Sequence, residues 1–507
     1  MPLRLWPLVV YLSLCIGIQW ASGSWNASFT AYPDEPSHFV SSVMVHDYLV
    51  HGLDQNPLSF ATEYYKHYPF FAIGYWPPLY YILMGLWFLA VGVGRLQALL
   101  LVAAIASGCA GMICILVRRR AGQFAGFCAG LLFLTLPEVQ TWFCAVMVDQ
   151  AVVLFSLVAI WFAIRYFERP SWRSAIGFAI LAAAAVLTKY SGLYICAIPI
   201  VAILALRRFG LLRERSFWAQ PVIICCLVAP WLLWTAHLAS VGLPEQGRGP
   251  AVGRVLSFSC ESLLSFPPAT LIFVLAGVMI LMARKQSWRV DTKIIALSIA
   301  ANIGFLAASP VDPERRYLQS VAAALLVLSF IGWWTLIETA GRRGTGWARV
   351  ALAAVALVVL ATSSLQVLRF RRAPDANARS VVRYIAGQPK WMGKQILVAP
   401  DMEGPMIAEF AAGDAHRPGY WLERPSKRFA KLDWFGHHYE AKFSSAEALM
   451  ADLRTDPVDL VIWHNAPAAL QRPDERQMQE ALTRWPSCWQ PVITIDTLQI
   501  YQYDPGR

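Results

Sequence analysis

What most constrains this chain is a succession of apolar runs, each close to the length needed to cross a lipid bilayer. Spanning the hydrocarbon core takes roughly 20 mostly apolar residues in a helix. Such runs cover residues 5–22, 96–117, 122–137, 148–166, 174–188, 191–206, 217–237, 263–283, 292–308, 317–337 and 347–364. A further run, Pro77 to Gly94, begins at Pro77-Pro78 and ends in a glycine-rich stretch. The pattern predicts a polytopic α-helical membrane protein. Composition agrees: 15% of residues are charged, against about 25% in soluble domains, and mean hydropathy is +0.47.

Other classes fall away. Seven of the ten cysteines lie inside apolar runs and no CxxC pair occurs, which excludes a disulfide scaffold, a structural zinc site and a redox dithiol. There is no Walker motif, GxGxxG or GxSxG, and no internal repeat or low-complexity segment. The net charge of +11, with 21 Trp and 18 Tyr, resembles a nucleic-acid footprint only until the charges are mapped.

Mapping them sets the topology. With the N-terminus cytoplasmic and Pro77–Gly94 lying along the surface, cytoplasmic segments hold 18 basic residues and external loops hold seven. If Pro77–Gly94 spanned, every later basic loop would move outside, against the positive-inside rule. Pro77–Gly94 is therefore read as a re-entrant or interfacial helix. This gives about eleven spans and puts Asp34 and Asp149 on one side. The first run is read as a retained span, although Arg4, its apolar stretch and Ala21-Ser22-Gly23 also fit a cleaved signal peptide loosely. Within residues 1–365 the cytoplasmic segments sum to +14 and the external ones to −4. The basic excess thus records membrane orientation, and no nucleic-acid partner is expected.

From residue 366 to 507 the composition is that of a globular domain, with 18 basic and 17 acidic residues. Gln395–Ala399, Val458–Trp463 and Val492–Ile495 read as buried strands, and Phe443–Leu453 and Asp474–Leu482 as amphipathic helices. The expected organisation is a membrane-embedded domain, 1–365, carrying a small extracytoplasmic α/β domain, 366–507.

Candidate chemistry concentrates on the external side. The first loop carries Tyr32-Pro-Asp-Glu-Pro-Ser-His-Phe39, which places Asp34 and Glu35 just after a span, with His38, Lys66 and His67 further on. A carboxylate there is suited to deprotonate a hydroxyl, although loops collect polar residues in any case. Asp149 heads an apolar run with no charged neighbour between Glu138 and Arg165. An ionisable group at a span edge carries a desolvation cost and reads as functional, with a helix cap as its plain alternative. Lys189 sits in a break between two short runs, where snorkelling to the interface is the competing account. Arg315 and Arg316 open a span on the face where arginines are disfavoured. They suit a bidentate anionic partner such as phosphate, unless Asp312 or Glu314 neutralises them locally. The four loop histidines lack metal-ligand spacing.

Taken in order, Asp34-Glu35, Trp76-Pro-Pro-Leu-Tyr-Tyr81, the Asp149 segment, Tyr166-Phe-Glu-Arg-Pro-Ser171, Ala185-Val-Leu-Thr-Lys-Tyr-Ser-Gly192 and Glu314-Arg-Arg-Tyr-Leu318 resemble the GT-C superfamily of integral-membrane glycosyltransferases. Within it the chain looks most like the bacterial protein O-mannosyltransferase, aminoarabinose transferase and lipopolysaccharide-core galacturonosyl transferase branch. The resemblance covers roughly residues 5–340. It implies a hexosyl- or pentosyltransferase of the inner (cytoplasmic) membrane. Such an enzyme takes a sugar from a polyprenyl-phosphate donor and passes it, usually with inversion, to a lipid, glycan or protein acceptor outside the cytoplasm.

The resemblance also assigns residues. The family's catalytic carboxylate maps onto Asp34, with Glu35 beside it, and a second-loop acid maps onto Asp149, to orient the acceptor or to hold a divalent metal ion. The Pro77-Pro78 segment maps onto external juxtamembrane helices. Arg315, Arg316, Lys189 and Lys66 are then expected at the donor phosphate, and Tyr317, His38 and Trp76 at substrate. Relatives often carry His or Lys directly before Pro-Pro-Leu, where this chain has Trp76. A contact made there is either missing or supplied by Lys66 or His67. The competing classes are a lipid or glycolipid flippase and a non-catalytic assembly protein. Transporters often show internal repeats, which this sequence lacks.

Overall fold

The structure, a computed structural model, describes residues 5–30, 32–71, 74–242, 251–284, 288–309, 314–340, 359, 361–362, 369–372, 377–431, 439–464 and 472–504. The candidate span 347–364 lies outside these except for three residues, and the expected domain boundary near residue 366 lies wholly outside them.

After α1 (Trp6–Ala21) the first loop folds into helices: α2 (Asp34–His51), α3 (Pro57–His67) and α4 (Leu79–Val91). Asn56 caps α3, its Oδ1 accepting from the Leu58 and Ser59 amides, while Pro57 occupies the first turn, where no N–H is needed. The 13 residues of α4 extend about 20 Å, short of the hydrocarbon thickness of about 30 Å. The helix packs beside α2. Gly85 permits this approach, because a Cβ there would press on Val45.

Next come α5 (Arg95–Leu134), α6 (Pro137–Phe143), α7 (Asp149–Glu168), α8 (Trp172–Thr188), α9 (Tyr194–Leu206) and α10 (Arg215–Gly242). Although α5 is continuous in residue number, it reverses at Gly122, whose φ of 83° and ψ of 171° are not helical. The two arms then pack antiparallel: a Cβ on Gly126 would meet the Cys114 carbonyl, and one on Gly130 would meet the Ala110 carbonyl. The runs 96–117 and 122–137 are therefore the arms of one hairpin. Finally α11 (Ala251–Leu264) and α12 (Pro268–Ala283) are bent by 116° at the intervening break, and α13 (Val290–Ala308) and α14 (Gln319–Ala340) complete the bundle. Gly277 of α12 and Gly332 of α14 let those backbones touch.

Among the described residues five helices are long and apolar enough to cross a bilayer, six if the bent pair counts as one, and shorter apolar helices lie among them. The chain is a multi-pass membrane protein.

Beyond the bundle stands a five-stranded sheet in the order β2-β1-β5-β7-β6. Its strands are β1 (Gln395–Leu397), β2 (Trp421–Glu423), β5 (Leu460–His464), β6 (Trp489–Ile495) and β7 (Leu498–Tyr503); β3 (Ala430–Lys431) and β4 (Glu440–Ala441) form a separate ribbon. β1 pairs in parallel with β2 and β5, and β7 antiparallel with β5 and β6, with Ile396 opposite both Leu422 and Leu460. Side chains alternate across the sheet, as strand geometry requires. Leu460 and Ile462 join the core shared with helices Ala378–Ala386 and Glu403–Gly413, whereas Val461 and Trp463 pack on Leu449, Leu453 and Met478.

The sheet domain rests on the first loop. Helix Glu403–Gly413 packs along α2, with Gly404 against Phe70 and Pro36. Arg417 Nε lies 3.1 Å from Asp47 Oδ2, Tyr68 donates to Asp414, and His67 Nδ1 is 2.9 Å from the Tyr420 carbonyl.

Candidate active site

The ends of four helices and one 3-10 turn meet beneath the first loop. Asp34 is the first residue of α2, where a negative charge complements the helix dipole. Asp149 opens α7 after the tight turn Ala145–Val148. Lys189 occupies the extended link after α8, and Arg316 sits in the 3-10 turn Arg315–Leu318 that leads into α14. The N-terminal ends of α2, α7 and α14 and the C-terminal end of α8 thus converge on one place.

Arg316 is the centre. Its Nη2 donates to Asp34 Oδ2 at 2.9 Å and to Glu314 Oε1 at 2.8 Å, and its Nη1 lies 4.0 Å from Asp149 Oδ2. Asp149 Oδ1 accepts from Lys189 Nζ at 2.9 Å. Aromatic rings enclose the cations. The Arg316 guanidinium is 4.3 Å from the Tyr32 ring and 5.6 Å from that of Trp142, and Lys189 is 4.5 Å from the Tyr317 ring. The hydroxyls of Tyr32 and Tyr317 both donate to Glu314, at 2.7 and 3.0 Å. Burial and the Glu314 carboxylate push the Tyr32 phenol above its ordinary pKa, so it stays a donor.

The cluster is not saturated. Arg316 is 4% exposed, yet its Nε and Nη1 have no hydrogen-bond acceptor, and Asp149 Oδ2 has no donor. Buried polar atoms are nearly always partnered, so unmet donors and an unmet acceptor facing each other at 4.0 Å mark a place prepared for a polar ligand. Asp34 and Glu314 are the accessible carboxylates, their side chains 24% and 32% exposed.

His38 lies one turn along α2 from Asp34. Its Nδ1 is 2.9 Å from the Tyr81 hydroxyl, its ring is 4.6 Å from that of Trp76, and its Nε2 is buried without a partner. Burial, reinforced by the charges of Lys189 and Arg316 and opposed by Asp149, holds its pKa well below the ordinary histidine value. The imidazole is neutral.

Asp34, Asp149, Lys189, Arg316 and Tyr317 thus come together, with His38 and Trp76 beside them. Three expected residues do not join. Glu35 is fully buried in an ion pair with Arg95 Nη1 at 2.7 Å and also accepts from the Val146 amide, so it braces the loop against α5 and the turn before α7. Arg315, although adjacent to Arg316, faces outward and pairs with Glu261 at 3.0 Å. Lys66 is exposed on α3 and pairs with Glu63. His67 stacks on Trp421, so neither Lys66 nor His67 stands in for the residue replaced by Trp76. Sequence reading did not single out Trp142, which carries no local signal, or Glu314 as a member of the site, although its adjacency to Arg316 raised local neutralisation, and that pairing is present. Asp312 lies outside the described residues.

Metal binding gains no support from the donor set. Among the described residues no group of three His, Cys, Asp or Glu side chains is placed to hold a metal ion. A divalent ion at Asp149 would have to displace Lys189 or Arg316.

The model of the family described as dolichyl-phosphate-mannose-protein mannosyltransferase matches residues 76–234. No curated protein sequence matches the chain. Among solved structures, ArnT from Cupriavidus metallidurans in the apo state superposes with a TM-score of 0.65 at 14% identity, over 97% of each chain. The same protein bound to undecaprenyl phosphate gives 0.62 at 14% identity, over 98% of each. The oligosaccharyltransferase AglB of Archaeoglobus fulgidus, in complex with an inhibitory peptide and a dolichol-phosphate, gives 0.53 at 11% identity, over 90% of this chain and 69% of that one. Over 97% of its length the chain shares the fold of ArnT, and this is the fold that the resemblance to the GT-C superfamily implied.

Proposed function

We propose that the protein transfers a hexosyl or pentosyl unit from a polyprenyl-phosphate-linked donor to a hydroxyl acceptor, with inversion, on the extracytoplasmic face of the inner membrane. The acceptor class is a lipid, glycan or protein. The observation that carries this reading is the cluster at Arg316: a buried guanidinium with two unmet donors, beside an accessible carboxylate, at the edge of an apolar bundle. Such a site suits a lipid phosphate entering from the bilayer. The matched ArnT and AglB structures with undecaprenyl phosphate and dolichol-phosphate support that donor class.

The chemistry follows from the charges. A polyprenyl phosphate leaves as a stable anion, so the site needs charge stabilisation more than a strong general acid. Arg316 Nε and Nη1, with Lys189, supply it. Asp34 shares Arg316 with Glu314 and Asp149, so a phosphate that engages Arg316 loosens the Asp34 pair and frees the carboxylate to accept the acceptor's proton. Asp149 holds Lys189 toward the phosphate. Neutral His38, with its unpartnered Nε2, is placed to hydrogen-bond the sugar, and Trp76 to stack on it.

The test is sugar transfer by the full chain in proteoliposomes, supplied with a panel of radiolabelled polyprenyl-phosphate sugars. Asp34→Asn should lower transfer roughly a thousandfold while expression and thermal midpoint are retained. Undiminished transfer by the folded variant would remove Asp34 from catalysis. Lipid movement without transfer across the whole panel would favour a flippase.

A further inference from the structure

At the opposite end of α7 the protein holds a second polar pocket, of about 860 Å³, which the transfer reaction does not use. Counting 20 residues from Asp149 to Glu168 places it about 30 Å from the candidate active site, one hydrocarbon thickness away. On the topology assigned from the charge count, this is the face that carries the excess of basic residues. Arg118, Arg119, Arg165 and Arg169 line the pocket, and Glu168 is the one acid in its lining. Arg119 is committed to Glu168, its Nη2 donating to both carboxylate oxygens at 2.7 and 2.8 Å. Arg165 lies 4.9 Å from the Trp161 ring, and neither it, Arg118 nor Arg169 has a carboxylate partner among the described residues. Pro170, Ser171 and Ser174 at the start of α8 complete the wall.

We propose that this pocket binds the phosphate headgroup of an anionic phospholipid of the leaflet opposite the active site. Three arginines without carboxylate partners, at the edge of a bilayer, are arranged as phosphate ligands. The shape identifies the source of the phosphate. The lining descends from the exposed Arg169 to Trp161 and Ile115 inside the spans, Trp161 lying about 10 Å below Glu168 along α7. A soluble anion gains nothing from an apolar wall of that depth, whereas a lipid phosphate brings acyl chains to cover it. The inference is independent of the transferase reading, and its test does not use transfer.

The full chain in detergent is titrated with dioleoylphosphatidylglycerol, with dioleoylphosphatidylcholine and with inorganic phosphate, and the thermal midpoint is followed. Phosphatidylglycerol should raise the midpoint in a salt-sensitive manner, and the other two should not. Arg118→Gln, Arg165→Gln and Arg169→Gln should each weaken the apparent affinity about fivefold, and the triple variant about a hundredfold. Glu168→Gln, which removes the only acid and frees Arg119, should strengthen it, so the inference stays testable if the triple variant fails to fold. An equal shift with phosphatidylcholine, an unchanged affinity in the single variants, or a full shift with inorganic phosphate alone would overturn the assignment.

Discussion

Adjacent residues in this protein have unrelated tasks. Arg315 and Arg316 share a turn, but one pairs at the surface with Glu261 and the other is buried among three carboxylates and three aromatic rings. An exposed ion pair contributes about 0–1 kcal/mol, so Arg315→Ala should leave donor affinity and stability nearly unchanged. Arg316→Ala removes charge-assisted hydrogen bonds of about 1.5–3 kcal/mol each. It should weaken donor binding about a hundredfold, with little change in acceptor KM, in binding assays with a polyprenyl phosphate. The same contrast separates Asp34 from Glu35, which face different partners because helical neighbours point about 100° apart.

His38 adds a pH dependence. Its folded pKa is depressed below the ordinary value of about 6.5. As pH falls through 6.5 the unfolded chain takes up a proton that the folded one refuses, and stability is lost. The thermal midpoint should therefore decline between pH 7 and 5, more steeply in the native protein than in His38→Gln. Equal slopes would remove His38 as the cause.

Among the elements, the helices are held in place by small residues and turns more than by their own length. The α5 hairpin needs the left-handed backbone at Gly122, and the α12–α14 contact needs Gly277 and Gly332. Gly332→Ala would drive a methyl group into the Gly277 carbonyl, an overpacking that costs about 1–3 kcal/mol. The expected result is a lower thermal midpoint in detergent with unchanged affinity for the donor, since Gly332 lies well along α14 from Arg316. The outer strands show where local signals run out. Trp421–Glu423 is three residues long, too short for a period-2 pattern, and the helix Glu403–Gly413, which packs against α2, is not among the elements expected from the sequence.

For the whole molecule, the outer domain acts as a clamp on the loop that carries Asp34. Asp47, buried on α2, is held by Arg417 and by the Tyr64 hydroxyl at 2.9 Å. Arg417→Ala leaves that carboxylate buried without its cation, at a cost of about 3 kcal/mol. Protease susceptibility of the first loop should rise and transfer should fall with it. A variant that loosens the loop without loss of transfer would mean that the clamp is not needed for catalysis.

The sequence by itself determined that the chain is a helical membrane protein, and it singled out Asp34, Asp149, Lys189 and Arg316 for attention. Those conclusions rest on hydropathy, charge bias and the cost of placing ionisable groups at a membrane edge, all of which are local or additive along the chain. Only the tertiary structure decided that Glu35 belongs to Arg95, that Arg315 and Lys66 stand apart, and that Trp142 encloses the guanidinium. It also placed around one pocket at the far end of α7 three arginines without a carboxylate partner among the described residues, and a fourth, Arg119, paired with Glu168. Partners separated by tens to hundreds of residues meet because helix ends converge, and the identity of an ion-pair partner is a property of that convergence.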